Sequence, residues 1–248
     1  MKKLICVLLA LMMAMSFAAC GEEPAAEKVT IYIPDTVTIY QGDTVYATVT
    51  YVFEEGWQDK DTFTVTMSGD TDKLGGSGTT VYSDKKLTQE VSNGATMETY
   101  YNEQGQQIKM VNLYADGGHR EVTYTYDSMG RLISEEEKMY ETADSEAVVT
   151  TTDYTYTDTA DGYTSTQEVN GYSVVSAYNK DGLQLSEVTY RNGEEMSRTE
   201  ATYDAAGNMV SNVTYYNGQK QVEMKYTWKA VEVSSEVAAR LCQFKKGN

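Results

Sequence analysis

Histidine is almost absent from this chain of 248 residues, and the standard catalytic motifs are missing as well. His119 is the only histidine, so a Ser-His-Asp or Cys-His apparatus would have to depend on it alone. It directly follows Gly117-Gly118, where we expect an ordinary exposed histidine. The sequence contains no Gly-x-Gly-x-x-Gly, P-loop or His-Glu-x-x-His pattern. We therefore expect a protein without enzymatic activity and without catalytic residues.

Basic residues are few relative to acidic ones. The chain has 20 Lys and Arg against 37 Asp and Glu, which gives a formal net charge of −17. Nucleic-acid binding depends on a basic surface that neutralises phosphates, so this composition excludes it as an expected function. An acidic body also avoids anionic lipid surfaces, so attachment to a membrane would need a separate anchor.

Long apolar runs are missing except at the start of the chain. Lys2 and Lys3 precede an almost unbroken apolar run over residues 4–17, which is shorter than the about 20 residues that a membrane span needs. A positive start, a short apolar run and small residues at its end are typical of a secretory signal peptide. We assign residues 1–19 to this segment.

The end of the signal segment, Ala18-Ala19-Cys20-Gly21, resembles the lipobox of bacterial lipoproteins. The resemblance implies that Cys20 becomes the lipidated N-terminus, that residues 20–27 form a tether, and that the lipid bilayer is a partner through this cysteine. It also implies an extracytoplasmic, membrane-anchored location. Ordinary cleavage after Ala19, which would release a free secreted protein, is the alternative.

Cysteine is also scarce, with three in the chain. Cys6 lies in the signal segment and Cys20 is the lipid acceptor, so Cys242 alone remains in the mature body. An intramolecular disulfide and a cysteine metal cluster are therefore excluded, and we predict no metal site.

Calcium is the one cofactor that the sequence leaves open. Asp70 with Asp72, and Asp158 with Asp161, place oxygen ligands in glycine-containing loops. Neither pair has the spacing of an EF-hand loop, so we predict no cofactor from them.

A short motif of tyrosine, Asp or Asn, two free positions and glycine occurs four times. The copies are Tyr101-Asn102-Glu103-Gln104-Gly105, Tyr126-Asp127-Ser128-Met129-Gly130, Tyr178-Asn179-Lys180-Asp181-Gly182 and Tyr203-Asp204-Ala205-Ala206-Gly207. The first two copies are 25 residues apart, as are the last two, and a gap of 52 separates the pairs. Such a period indicates one supersecondary unit used repeatedly. In each copy, the Asp or Asn side chain should bond to the backbone two residues on, and the glycine should supply positive φ.

Asn-Gly and Asp-Gly pairs alternate with these motifs, for example Asn192-Gly193 and Asn217-Gly218. They favour two-residue hairpin loops, in which both central residues have positive φ. Turns at this spacing leave strands of about eight residues, and tightly connected strands must be antiparallel. In the 52-residue gap, we expect a degenerate copy whose turn spans 156–162, paired with a loop at 141–146.

The sequence therefore predicts an all-β fold: an antiparallel meander of repeated β-hairpins, in an elongated, curved or rolled sheet, with a short C-terminal helix. Residues 28–78 form an N-terminal β region, 79–229 the repeat sheet and 230–248 the C-terminal helix and tail. The loop from Gly69 to Gly78 is the best candidate boundary, and Ser234 is the expected helix N-cap.

Tyrosine supplies much of the apolar surface, since 21 tyrosines accompany few large aliphatic residues. Tyrosine and threonine fit a pleated, half-buried surface, and methionines such as Met129 should fill gaps in a thin core. Exposed tyrosines on a rigid sheet can also stack on sugar rings or anchor a protein interface. The candidate binding residues are Tyr124, Tyr126, Tyr190, Tyr203 and Tyr215; the other interpretation is that they simply form the core.

Two segments, Tyr124-Thr125-Tyr126-Asp127 through Leu132 and Thr202-Tyr203-Asp204 through Met209, resemble the YD (tyrosine-aspartate) repeats of the RHS family. The resemblance covers about residues 95 to 228. It implies a long antiparallel sheet in a secreted or cell-surface protein and supplies no catalytic residues. Tyr190-Arg191-Asn192-Gly193 and Tyr215-Tyr216-Asn217-Gly218 are similar to MORN-like repeats.

These observations favour an exported, membrane-anchored lipoprotein with a non-enzymatic binding or scaffolding role at the cell surface, for a glycan or protein partner. An immunity or accessory protein that binds a secreted toxin is the alternative. A carbohydrate-active enzyme ranks last, because the adjacent carboxylates Glu135, Glu136 and Glu137 would alternate between the two faces of a strand.

Overall fold

The computed structural model describes residues 28–70, 76–83, 85–91, 95–169 and 171–240. The signal segment, Cys20, Asp72 and Cys242 lie outside these ranges. Within them, no helix has the length and apolarity that crossing a membrane requires.

The described residues form seventeen strands and one short helix, which confirms the all-β prediction and the C-terminal helix. The strands are β1 (Lys28–Gln41), β2 (Thr44–Phe53), β3 (Phe63–Gly69), β4 (Gly76–Ser83), β5 (Lys86–Val91), β6 (Thr96–Tyr101), β7 (Gln107–Leu113), β8 (His119–Tyr126), β9 (Leu132–Tyr140), β10 (Val148–Asp153), β11 (Thr155–Thr159), β12 (Gly162–Val169), β13 (Tyr172–Asn179), β14 (Gln184–Arg191), β15 (Glu194–Tyr203), β16 (Met209–Tyr216) and β17 (Gln219–Ser234). A 3-10 turn spans Trp57–Asp59, and helix α1 spans Ser235–Arg240.

The strands make one antiparallel meander that is nearly closed into a barrel. Each strand pairs with the next along the chain from β1 to β10 and from β11 to β17. The first strand returns to the last: β1 pairs with β17 from Lys28 opposite Ser234 to Gln41 opposite Val222. The first and last strands of the sheet therefore lie side by side.

The N-terminal strands belong to the same sheet as the repeats. β3 pairs with β4 from Phe63 opposite Tyr82 to Thr66 opposite Thr79, so pairing continues across the loop considered as a boundary. β1 is a single strand that runs through Pro34, where the register shifts before Thr36. A bulge suits proline, which has no N–H to give to a ladder.

The four tyrosine–glycine motifs form the same turn, as the sequence predicted. In the last copy, the backbone N–H groups of Ala206 and Asn208 donate to Oδ1 of Asp204, both at 2.9 Å. Gly207 has φ +84° and donates its N–H to the Asp204 carbonyl. The equivalent bonds form at Asn102, Asp127 and Asn179.

The Asn-Gly hairpins are also confirmed where the structure describes them. Asn192 and Gly193 have φ of +52° and +81°, and Asn217 and Gly218 have +48° and +74°. Both central positions thus occupy the left-handed region that a tight hairpin needs.

Three local expectations were wrong. Thr155–Thr159 is strand, and β11 turns tightly into β12 at Gly162, because Thr157 stands where the other copies have the turn-forming Asp or Asn. Met129 is 67% exposed at the tip of its turn and fills no gap in a core. His119 is half-buried, because its ring stacks on that of Tyr140 with the two ring centroids 4.0 Å apart.

An apolar cluster packs where β1 and β17 extend beyond the repeat turns. Its buried members are Ile31, Ile33, Trp57, Phe63, Val65, Val233, Val237 and Ala238. Ser234 caps α1 by accepting the N–H of Val237 at 3.2 Å, which confirms the predicted cap. β17 reaches Ser234, so residues 230–234 are strand and the helix begins only at Ser235.

Candidate ligand site on the inner face

The sheet has an inner face, which we define by its buried side chains. Residues paired across neighbouring strands share a face. Ser165 pairs with Ser176, Ser176 with Glu187, Glu187 with Thr199, and Thr199 with Thr214. Ser165 and Ser176 are 3% and 6% exposed. This row of paired residues therefore marks the inner face across β12 to β16.

Tyrosines dominate the inner face over its whole circumference. By pairing and alternation, the inner tyrosines include Tyr51, Tyr82, Tyr101, Tyr124, Tyr126, Tyr154, Tyr156, Tyr163, Tyr178, Tyr203 and Tyr226. We call them the tyrosine band. Burial raises the phenol pKa of most of them, to about 12 for Tyr124 and Tyr126. The band thus combines apolar ring surface with hydroxyls that stay protonated.

Neighbouring phenols in the band are close enough to act on one another. Burial is the main cause of the raised pKa of Tyr226, and Tyr51 and Tyr203 add to it. Tyr178 likewise adds to the raised pKa of Tyr203 and of Tyr156. Tyr163 and Tyr178 stack with ring centroids 4.7 Å apart.

Aromatic donors on the inner face connect successive repeats. The hydroxyls of Tyr126 and Tyr203 donate to the carbonyls of Gln107 and Gln184, at 2.6 and 2.8 Å. Two further donors do the same: Tyr156 bonds the Leu132 carbonyl at 2.5 Å, and Nε1 of Trp228 bonds the Met209 carbonyl at 2.7 Å. In all four cases the acceptor is the second residue after the glycine of the preceding motif.

A pocket of about 210 Å³ opens on the inner face between β14, β15 and β16. Its lining residues are Gln184, Ser186, Glu187, Thr199, Ala201, Tyr203, Met209 and Asn212. The volume lies below the about 300 Å³ at which drug-sized sites begin. It suits a single ring or a short chain end.

A hydrogen-bond network fixes the polar wall of the pocket. Nε2 of Gln184 donates to Oε2 of Glu187 at 3.2 Å and to Oγ of Ser176 at 3.3 Å. Ser176 in turn donates its hydroxyl to Glu187 at 3.4 Å. The Glu187 carboxylate is thereby held in place with acceptor capacity left for a ligand. Tyr203 bonds the Gln184 backbone, so the ring and the amide belong to one unit.

The five tyrosines selected from the sequence lie on both faces of the sheet. Tyr124, Tyr126 and Tyr203 are in the tyrosine band. Tyr190 is three residues after Glu187 and Tyr215 follows Thr214, so both point outward. On that outer face, the guanidinium of Arg198 lies 5.2 Å from the Tyr215 ring centre. The candidates therefore form two surfaces, of which only the inner one carries the pocket.

The run of three glutamates also divides as the strand pleat requires. Glu137 pairs with Val122 and faces inward, where Arg120 contacts its carboxylate at 2.6 Å. Glu136 faces outward and contacts Lys138 at 2.8 Å. Glu135 faces inward and adds to the effect of burial in raising the pKa of Tyr154.

Sequence reasoning missed the polar residues of the pocket. Gln184 and Met209 each stand two positions after the glycine of a repeat motif, so alignment of the repeats would have placed them together. Trp228, 25 residues after Tyr203, would have been found in the same way. Glu187 and Asn212 also stand at equivalent positions, five residues after the same two glycines, but their different residue types gave no sign of a shared site.

The described residues contain no group of three His, Cys, Asp or Glu side chains that could hold a metal ion. Of the aspartates considered for calcium, Asp158 contacts Arg131 at 3.3 Å, and Asp70 accepts the Thr48 N–H at 3.2 Å.

No protein-family model matches the chain, and no curated protein matches it. Among solved structures, a porin-like protein from Bacteroides uniformis ATCC 8492 aligns over 79% of this chain and 98% of that chain, with 12% identity and a TM-score of 0.44.

Proposed function

We propose that this chain is an exported lipoprotein, anchored at the cell surface through Cys20, that binds a glycan on its inner face without turning it over. The observation that carries the proposal is the inner pocket, where an aromatic ring adjoins an ordered set of amide, hydroxyl and carboxylate groups. Rings that stack and polar groups that fix orientation are the two components a small polar ligand needs.

The residues that line the pocket indicate which kind of glycan it would bind. Among the described residues that line it, Glu187 is the one charged side chain. The whole chain is strongly acidic, so an anionic sugar would be repelled. We therefore expect a neutral sugar or an amino sugar, with the ring on Tyr203 and hydroxyl or ammonium groups at Glu187 and Asn212.

The same lining supports the proposal of binding without turnover. Glycoside hydrolysis generally uses two carboxyl groups about 5 to 9.5 Å apart. Glu187 has no second carboxylate among the described lining residues. A single carboxylate in the described lining thus supports a site that holds a sugar without cleaving it.

A glycan array probed with the purified chain tests the proposal, followed by titration of each hit against variants. Glu187→Gln keeps the shape of the side chain and removes its charge, and it should weaken binding about tenfold, as loss of a charged hydrogen bond does. Tyr203→Ala should weaken it by a similar factor. Tyr215→Ala, on the outer face, is the matched control and should leave the affinity within about twofold. An array without hits, or hits indifferent to both inner variants, would refute the proposal.

The anchor is tested separately by Cys20→Ser. The unaltered chain should sediment with membranes and carry a diacylglyceryl-modified N-terminus in mass spectra, because two or more acyl chains give stable anchoring. The variant should lose both properties. A mature N-terminus without lipid in the unaltered chain would contradict the anchored form.

A further inference from the structure

Strand β10 has a free edge. It pairs with β9 from Val148 opposite Met139 to Asp153 opposite Ser134. On its other side, the described residues provide no ladder partner for it. Strand pairing on this side begins again only at β11, where Thr155 pairs with Thr166 of β12. β10 lies beside β12, and the described residues form no ladder between these two strands. The β11–β12 register, when continued, places Glu168 opposite Asp153, so β12 faces the Asp153 end of β10 and the end around Val149 is the open one.

The backbone groups that face this edge can be identified. Tyr154 donates its N–H to the Ile133 carbonyl at 3.0 Å, so Tyr154 faces β9. Residues of an antiparallel strand alternate in the neighbour to which they bond. Val149, Thr151 and Asp153 therefore direct their N–H and C=O groups away from β9. Thr155, two residues further on, pairs on that side with β12, which agrees with this alternation.

The side chains of β10 suit strand addition. Val148 and Val149 are 69% and 53% exposed, and three threonines come directly after them. Valine and threonine have high β-propensity. Natural edge strands are usually protected by Lys, Pro, a bulge or a covering segment, and Val148–Asp153 contains neither Lys nor Pro. An unprotected edge of this kind is a template for another strand.

The charges around this edge indicate the kind of strand that fits it. Glu146 precedes β10, Asp153 ends it, and Glu168 lies on the facing part of β12; all three are exposed. In the described part of the chain, no basic side chain forms an ion pair with any of them. A second copy of this acidic chain would bring like charges together, whereas a basic segment would be attracted.

We propose that the free edge of β10 accepts an extended segment of a partner protein, rich in Lys or Arg and β-branched residues, as an added strand. The main-chain bonds to Val149 and Thr151 would supply affinity, and the carboxylates would select basic side chains. This surface is distinct from the inner pocket, so the inference goes beyond glycan binding and does not depend on it.

Fluorescence anisotropy with a labelled eight-residue peptide of alternating Lys and Val tests the inference on the full chain. The peptide should bind, and binding should weaken as salt is added. Val149→Pro and Thr151→Pro each remove an edge N–H and leave the bonds to β9 intact; either should weaken binding at least about tenfold. Val149→Thr keeps the N–H and the β-propensity, and it should stay within about twofold. A peptide of alternating Glu and Val should not bind.

Hydrogen exchange gives a second measurement that needs no variant. The Lys-Val peptide should slow exchange of the Val149 and Thr151 amides and leave those around Tyr203 unchanged. The inference would be overturned if the peptide did not bind or did not protect these amides. It would also be overturned if both proline variants kept the circular dichroism spectrum of the unaltered chain and bound the peptide as tightly. A dimer of the pure chain that Val149→Pro dissociates would overturn it too, because the occupant would then be a second copy.

Discussion

The turn-forming residue of the repeat shows how closely a single side chain determines local structure. Asp204 and Asn179 stand at equivalent positions, and each uses one side-chain oxygen to accept two backbone N–H groups. The turn requires a side-chain oxygen at the distance that Asp and Asn provide, and the charge of the side chain matters less. Hydrogen bonds from Asn208 nevertheless lower the pKa of Asp204 below its ordinary value.

Substitution of Asp204 tests this role. Asp204→Ala removes the acceptor of two backbone bonds and should lower the free energy of unfolding by about 1 to 2 kcal/mol. Asp204→Asn keeps the acceptor, as the chain itself does at Asn102 and Asn179, and should change it by less than about 0.5 kcal/mol. Urea unfolding measures both. Equal losses in the two variants would show that the carboxylate charge, rather than the acceptor, stabilises the turn.

From strand to strand, the repeats are connected by aromatic donors as well as by the sheet ladder. Tyr126, Tyr203 and Trp228 each reach back 19 residues to a carbonyl just after a repeat turn. The ladder is irregular beside these acceptors: the register shifts between Ala177 and Tyr178, and again between Thr202 and Tyr203. The aromatic group thus bonds the repeat where its ladder is interrupted.

Removal of the hydroxyl alone measures this connection. Tyr126→Phe and Tyr203→Phe keep the ring and lose one bond to a half-buried carbonyl, so each should cost about 1 kcal/mol of unfolding free energy. Tyr215→Phe on the outer face keeps its ring under Arg198 and should cost about 0.5 kcal/mol or less. Denaturant titration of the three variants is the measurement. A loss at Tyr215 as large as at the inner positions would contradict a specific role for the inner hydroxyls.

Across the whole sheet, the tyrosine band replaces the aliphatic core that the sequence lacks. Most buried aliphatic residues gather around β1, β2, β3 and β17, whereas the repeat strands bury only Val111 and Val122 among the described aliphatic residues, together with serine, threonine and tyrosine. Tyrosine suits such a wall because its ring contributes apolar area while its hydroxyl finds a partner. The same composition leaves an inner surface with which a sugar can interact.

The band predicts how stability depends on pH. Burial raises the pKa of Tyr124 and Tyr126 to about 12, from 10.0 in an unfolded chain. Above pH 10 the unfolded state loses these protons first, so the folded state binds more protons and stability falls as pH rises. The contribution is complete below pH 10.0 and is lost as pH approaches 12.

Two measurements check this dependence. Urea unfolding should show falling stability between pH 10 and pH 12, and phenolate absorbance should titrate in two groups, with the inner tyrosines later. Conversion of Tyr124 and Tyr126 to Phe should reduce the slope. A single phenolate transition near pH 10, with flat stability above it, would show that the band is open to water.

Local chemistry could be predicted from the sequence, and long-range geometry could not. The turns at Asp204 and Asn217 follow from residues within five positions of each other, so their sequence determines them. The closure of β1 on β17 depends on pairing across almost the whole chain, which no local pattern shows. For the same reason, only part of the candidate site could be predicted from the sequence. Tyr203 was identified by its motif, while Tyr190 lies outside because a strand reverses its face at every residue.

The most direct test of glycan binding on the inner face is fluorine NMR of the chain labelled with 3-fluorotyrosine, titrated with a glycan that it binds. Tyrosine-to-phenylalanine variants assign the resonances. The proposed site predicts that the resonance of Tyr203 shifts with ligand, while those of the outward-facing Tyr190 and Tyr215 stay unchanged. Shifts confined to the outer tyrosines, or none at saturation, would contradict it.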